Sequence, residues 1–291
     1  MSLEKNSPCK VNLILNILAR RPDGFHELET VMHPVALFDR LTFARGGSGV
    51  QLTCGDPTLP TDSRNLVHRA AESFCRRAAV TEGVRIHLDK HVPMAAGLGG
   101  GSADAATTLL GLNELFGFPL PPLDLHPLAA ALGSDVPFFL QTAPALATGR
   151  GEVIEPLAAF PALRGAAFFL IHPGFGIPTA WAYQQLARFP AALNGERGRA
   201  RRLISLLAGA DLAAAGREFY NSLEAPALDK YPLLVLFQEF LRSHGADGAL
   251  MSGSGSTTFA VTRSVAAAET LAESFRAKFG PSHWTAVVPV A

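Results

Sequence analysis

Residues 93–106, PMAAGLGGGSADAA, constrain this chain more than any other stretch. Glycine at 97, 99, 100 and 101 opens backbone angles closed to other residues and lets other groups come close to the amides. Before the run, VRIHL (84–88) alternates in the manner of a strand. After it, ADAATTLLGLNELFG repeats Ala105, Leu109, Leu112 and Phe116 at helical spacing and stops at Gly117, with Pro119 just beyond. Ser102 stands where a helix N-cap belongs. Consecutive N–H groups followed by a helix start, with its unpaired amides and positive dipole end, suit the oxygens of a phosphate. The same composition also fits a tight packing turn. Two phosphate loops do not fit. A Walker A loop carries Lys-Ser or Lys-Thr after its last glycine, where this chain has Ser102 and Ala103. The dinucleotide fingerprint wants glycine where this chain has Ser102 and a ribose-binding acid about 20 residues on, where none falls in place.

The opening of the chain reads as β structure. In KVNLILNI, Val11, Leu13, Leu15 and Ile17 alternate with Lys10, Asn12, Ile14 and Asn16, which predicts a half-buried strand with the lysine and both asparagines on one face. RRPDGFHE supplies a Pro-Asp-Gly turn, and LETVMHPVALFDRLTF continues extended. NLVHRAAESFCRRAA predicts a helix with Leu66, Ala70, Phe74 and Ala78 inward and a cap around Ser63. PLDLHPLAAALG predicts a short helix ending at Gly133, and SDVPFFL opens a new element with Asp135 in the turn. Residues 148–161 show the least periodicity, so a division there into 1–155 and 156–291 is expected. Beyond it GAAFFLIHP predicts a buried strand, and AALNGERGRARR (191–202) an exposed loop or helix start, without the interleaved aromatics of a nucleic-acid patch. GALMSGSGSTTFAV sets a second small-residue loop between two strands, AAAETLAESFRAKF is an amphipathic helix, and WTAVVPV a last strand. Strands and helices alternate in both halves without a short repeat, an α+β pattern.

Twenty-five basic and twenty-five acidic residues balance, so nothing in the net charge draws the chain to nucleic acid or an anionic membrane, and an anionic ligand needs a local site. The three cysteines, Cys9, Cys54 and Cys75, form no CxxC pair, which argues against a disulfide framework or zinc site and favours a reducing cytoplasm. No apolar run approaches the roughly 18 residues of a membrane helix. MSLEKNSP lacks the apolar core of a secretory signal, so a soluble, untargeted protein is expected.

PMAAGLGGGSADAA resembles the phosphate-binding motif of the GHMP kinases, the small-molecule kinases named for galactose, homoserine, mevalonate and phosphomevalonate. SPCKVNLILNI near the start and ALMSGSGSTTFAV near the end resemble that family's other two segments, in the right order. The resemblance implies an N-terminal α+β domain and a ferredoxin-like C-terminal domain with the active site in the cleft between. It also implies ATP and Mg2+. Asp135, by itself an ordinary turn or capping aspartate, matches the family's catalytic acid-base residue, and Lys10 matches the lysine that orients it and offsets phosphate charge. The nucleotide side matches Pro93, Met94, Ala95, Ala96, Gly97, Leu98, Gly99, Gly100, Gly101, Ser102 and Ala103, with Asn65 and Lys90 lining the adenine pocket. Ala95 and Ala96 replace glycines of some relatives and Ala103 a frequent serine, all still small. No carboxylate is identified as a metal ligand. RPDGFHE resembles the branch whose substrate carries a cytidine diphosphate group, for which Asn12, Phe25, His26, Thr179 and Tyr183 are the implied contacts. Phe25 stands where that branch usually has tyrosine, so ring stacking survives without the hydroxyl. A monomer or weak homodimer is expected.

Overall fold

The structure, a computed structural model, describes residues 2–290. Two long strands, β1 (Ser2–Arg20) and β2 (His26–Arg45), flank the Pro-Asp-Gly turn, where Gly24 takes φ 86° and Arg21 N donates to Phe25 O at 2.8 Å. Both strands serve two compact units. The first takes the chain up to Cys9, Leu37–Pro93 and Gly99–Thr142; the second takes Lys10–Ala36, Met94–Leu98 and everything from Ala143.

In the first unit β3 (Val50–Cys54) runs parallel to β4 (Val84–Asp89), with Leu52 beside Ile86, and β4 runs antiparallel to β2, with Leu41 beside Leu88. Helices α1 (Leu66–Arg77), α2 (Gly100–Leu115) and α3 (Pro122–Leu132) pack together in this unit. α1 buries Val67, Ala70, Ala71 and Phe74, close to the face read from its spacing. α2 is buried on nearly every side, which its small residues allow: Ala103, Ala105 and Ala106 are inaccessible, and a Cβ on Gly111 would lie 2.6 Å from the ring of Phe43.

The second unit continues with β5 (Ala145–Gly149), β6 (Val153–Pro156), β7 (Ala167–His172), α4 (Thr179–Gln185), α5 (Pro190–Leu193), α6 (Arg199–Leu207) and α7 (Leu212–Arg217). It ends with β8 (Tyr220–Asn221), α8 (Glu224–Lys230), α9 (Pro232–Ser243), β9 (Gly248–Met251), β10 (Thr258–Thr262), α10 (Val265–Phe279) and β11 (Trp284–Pro289). An antiparallel sheet in the order β11-β7-β10-β9 carries α9 and α10, sealed by Phe169, Phe237 and Phe275 with edge-to-face ring contacts. β7 is the buried strand expected from its unbroken apolar run.

Four local readings are corrected. Residues 148–161, expected to be irregular, largely form the β5–β6 hairpin, with Ala147 paired to Ile154; short strands of four or five residues leave little periodicity to detect. Asn65, not Ser63, caps α1: its carboxamide oxygen accepts from Val67 N at 2.9 Å while its nitrogen donates to Pro60 O at 2.8 Å. Gly99, not Ser102, is the N-cap of α2; its left-handed φ of 71° suits glycine, and Ser102 falls in the first turn. The middle of β1 is covered on both faces rather than half-buried.

Candidate active site

Burial is what gives Lys10 its geometry. Its exposure is 2% and that of Asn12 3%, so the ammonium must find acceptors inside the protein. Its Nζ donates to Asn12 Oδ1 at 2.5 Å and to the carbonyl of Gly97 at 2.8 Å. Ser252 Oγ donates to the same carbonyl at 3.0 Å and accepts from Asn12 N at 3.3 Å. The second small-residue loop is therefore what comes close to the glycine run: at Gly97, with φ 75°, a Cβ would lie 1.9 Å from Ser252 O. Thr257 N donates to Ala96 O at 3.1 Å and Ile177 N to Ala95 O at 3.3 Å, so Met94–Leu98 is fastened along its length within the second unit. Asn221 Nδ2 holds that loop from behind, through the carbonyls of Met251 at 2.8 Å and Gly253 at 2.7 Å. Sequence reasoning singled out neither Ser252 nor Asn221. The small-residue run pointed toward Ser252, but Asn221 arrives only through the parallel pairing of β8 with β1 at Ile14 and Leu15.

The implied cytidine contacts also lie in this unit. The His26 and Tyr183 rings pack with centroids 5.1 Å apart. Partial burial, helped by the positive charge of Arg20, lowers the His26 pKa below its ordinary 6.5, so the ring is neutral and offers one donor and one acceptor. Phe25 is 51% exposed, with the Arg150 guanidinium 4.5 Å over its ring. Thr179 Oγ1 sits 3.0 Å from Ser254 Oγ, tying the start of α4 to the second loop.

In the first unit, α2 begins with no side chain capping its amides and no acid in its first turn, which leaves the positive dipole end unanswered. Asp135 occupies the turn between α3 and a short 3-10 helix at Pro137–Leu140. Lys90 is almost wholly buried against two carboxylates, Asp39 and, at 2.9 Å, Asp104. The other oxygen of Asp39 accepts from His91 N at 2.6 Å and Val92 N at 2.8 Å, which fixes the approach to the glycine run. Asp39 had no signal in sequence beyond its place in an extended run.

Two stability measurements follow from this unit. Asn65→Ala removes the α1 cap and its bond to Pro60, and should lower unfolding free energy by about 1–2 kcal/mol in urea titration. Burial, with the nearby charge of Asp39, pushes the Asp104 pKa up to about 6 from 3.8, against the pull of Lys90. The folded protein therefore holds a proton that the unfolded chain has released, so this group's contribution to stability falls as pH rises from about 4 to about 6 and is level above. Asp104→Asn should flatten that part of the urea midpoint against pH curve relative to the parent.

Residues 65–142 match the model of the GHMP kinases N terminal domain, and residues 196–281 that of the GHMP kinases C terminal domain. The chain belongs to the GHMP kinase family. It is 42% identical to the 4-diphosphocytidyl-2-C-methyl-D-erythritol kinase of Synechococcus sp. (strain JA-2-3B'a(2-13)), over 93% of this chain and 88% of that one. To the same-named kinase of Syntrophotalea carbinolica it is 37% identical over 94% of each. Among solved structures, a 4-(cytidine 5'-diphospho)-2C-methyl-D-erythritol kinase superposes with a TM-score of 0.82 at 36% identity, covering 99% of this chain and all of that one. A homoserine kinase from Cytophaga hutchinsonii shares the fold, with a TM-score of 0.77 at 21% identity over 98% and 93% of the two chains.

Proposed function

We propose that this chain transfers the γ-phosphoryl group of ATP to the 2-hydroxyl of 4-diphosphocytidyl-2-C-methyl-D-erythritol, a step of the non-mevalonate route to isoprenoid precursors. The observation that carries the reading is the bond from the buried Lys10 ammonium to the carbonyl of Gly97, which puts a fixed positive charge against the glycine segment. Phosphoryl transfer asks a protein mainly to align an alcohol with the terminal phosphate and to offset charge on the way. In this scheme Pro93 to Ala103 cradles the phosphates through main-chain amides, with the open α2 terminus and the Ser102 hydroxyl at its end. Asp135 takes the proton of the attacking hydroxyl, and Lys10 offsets charge on the transferring group. His26, Tyr183 and Phe25 receive the cytosine, with Thr179 beside Tyr183, the rings by stacking and the neutral imidazole by reading its edge; Asn12 serves the alcohol side. Asn65 and Lys90 act on the nucleotide side through the segments that they fix.

ATP enters with magnesium. Beside phosphates magnesium takes only about one or two protein carboxylates and keeps several waters, so the ion is assigned chiefly to the oxygens of the nucleotide. The division of the chain at 155/156, a cytoplasmic location and a monomer or weak homodimer complete the proposal. No helix among the described residues is long and apolar enough to cross a membrane. The deciding assay measures ADP release with the cytidyl substrate beside homoserine and mevalonate. Turnover of the cytidyl alcohol alone is expected, and exclusive turnover of either smaller alcohol would reverse the substrate assignment.

A further inference from the structure

The protons around Lys10 run in one direction only. An ammonium donates and never accepts, so the Asn12 atom 2.5 Å from Lys10 Nζ must be the carboxamide oxygen. That choice turns the Asn12 nitrogen the other way, where it donates to Thr30 Oγ1 at 2.8 Å. Thr30 in turn spends its own proton on the carbonyl of Ile14 at 2.5 Å, which leaves its oxygen as an acceptor for Asn12. Thr30 is 3% exposed and comes from β2, whereas Lys10, Asn12 and Ile14 come from β1. Without the hydroxyl, the buried Asn12 NH2 group loses its acceptor, and the carboxamide is anchored at its ammonium end alone.

We infer that Thr30 is a positioning residue for the phosphoryl-transfer reaction, setting the Asn12 carboxamide and, through it, the place of the Lys10 ammonium at the Gly97 carbonyl. This rests on Lys10 acting in catalysis as proposed above. It also gives Asn12 a duty toward Lys10 besides any contact with the alcohol. Nothing in the local sequence, ETVM, marks the threonine; it is one β-branched residue in a strand.

The test is a kinetic double-mutant cycle on the full chain. Thr30→Val keeps shape and volume and removes the hydroxyl. Its kcat should fall roughly 10–100-fold, the scale of a small misplacement of a catalytic group, with KM for ATP and for the alcohol within about twofold of the parent. Thr30→Ser restores the hydroxyl and should recover most of the loss. In a Lys10→Met background, Thr30→Val should add almost nothing, because the residue acts through the ammonium that is already gone. A Thr30→Val enzyme that folds and turns over like the parent, a Thr30→Ser enzyme as slow as the valine variant, or full additivity with Lys10→Met would each overturn the inference. If the valine variant does not fold, Thr30→Ala against Thr30→Ser gives the same comparison, and equal kcat values overturn it. ADP release is the readout, so the same non-additivity with homoserine or mevalonate as acceptor would support the role of Thr30 even where the cytidyl assignment fails.

Discussion

Asp135→Asn is expected to fold like the parent and to turn over roughly 10²–10⁴-fold more slowly, the range for losing a general base. The substitution is nearly isosteric and the residue sits in a turn rather than within a helix or strand, so the thermal midpoint should stay within a few degrees. An amide cannot accept the hydroxyl proton at neutral pH, so the loss should appear in kcat and kcat/KM together while KM for ATP is little changed. Steady-state kinetics with ATP and the cytidyl alcohol, paired with circular dichroism, separate the outcomes. A variant that keeps parental kcat would show that alignment of the alcohol, and not proton removal, carries the rate.

Gly97→Ala is expected to be strongly damaging for the addition of a single methyl group. The added carbon meets a backbone carbonyl, Ser252 O, at 1.9 Å, and the residue sits at φ 75°, where a side chain is strained. The left-handed backbone costs roughly 1–2 kcal/mol and forced repacking another 1–3, so a loss of at least ~2 kcal/mol in urea unfolding is expected. Because the Gly97 carbonyl receives both Lys10 and Ser252, activity should fall in whatever fraction still folds. Gly101→Ala is the control. There the new carbon would lie 3.8 Å from Leu66 Cδ1, an ordinary contact, and the position is the first turn of a helix, where alanine is favoured over glycine by up to ~1 kcal/mol. Equal unfolding midpoints for the two variants would show that contact with the second loop is not what requires glycine at 97.

Most elements were legible because their signals are local. The alternation of VRIHL, the unbroken apolar run of AFFLI and the stops at Gly117 and Gly133 each act within a few residues and appear as β4, β7, α2 and α3. The glycine run showed that something comes near the backbone, but not what. At Gly97 the neighbour is the Ser252–Gly255 loop, more than 150 residues away in the chain, while at Gly100 it is the buried cluster of Lys90 and Asp39. The partners of Lys90, Asp39 and Asp104, are connected to it by no spacing rule, whereas those of Asn65, Pro60 and Val67, are local. Lys10 and Asn12 alternate with apolar neighbours as a wet strand face would, yet the strand is covered on both sides, and their polarity is satisfied by each other, Gly97 and Thr30.

By itself, then, the sequence determined most of the element types and the family whose three motifs lie in order along the chain, and it supplied the segment proposed to bind an anion. Those depend on backbone sterics, helix periodicity and short patterns of residues, all properties of neighbours in sequence. The tertiary structure alone decided which way the Asn12 amide faces, why Gly97 cannot carry a side chain, that Thr30 meets Asn12, and that Asn221 and Ser252 hold the loops. Hydrogen-bond direction and steric exclusion are set by atoms brought together from distant segments, so no reading of local pattern contains them.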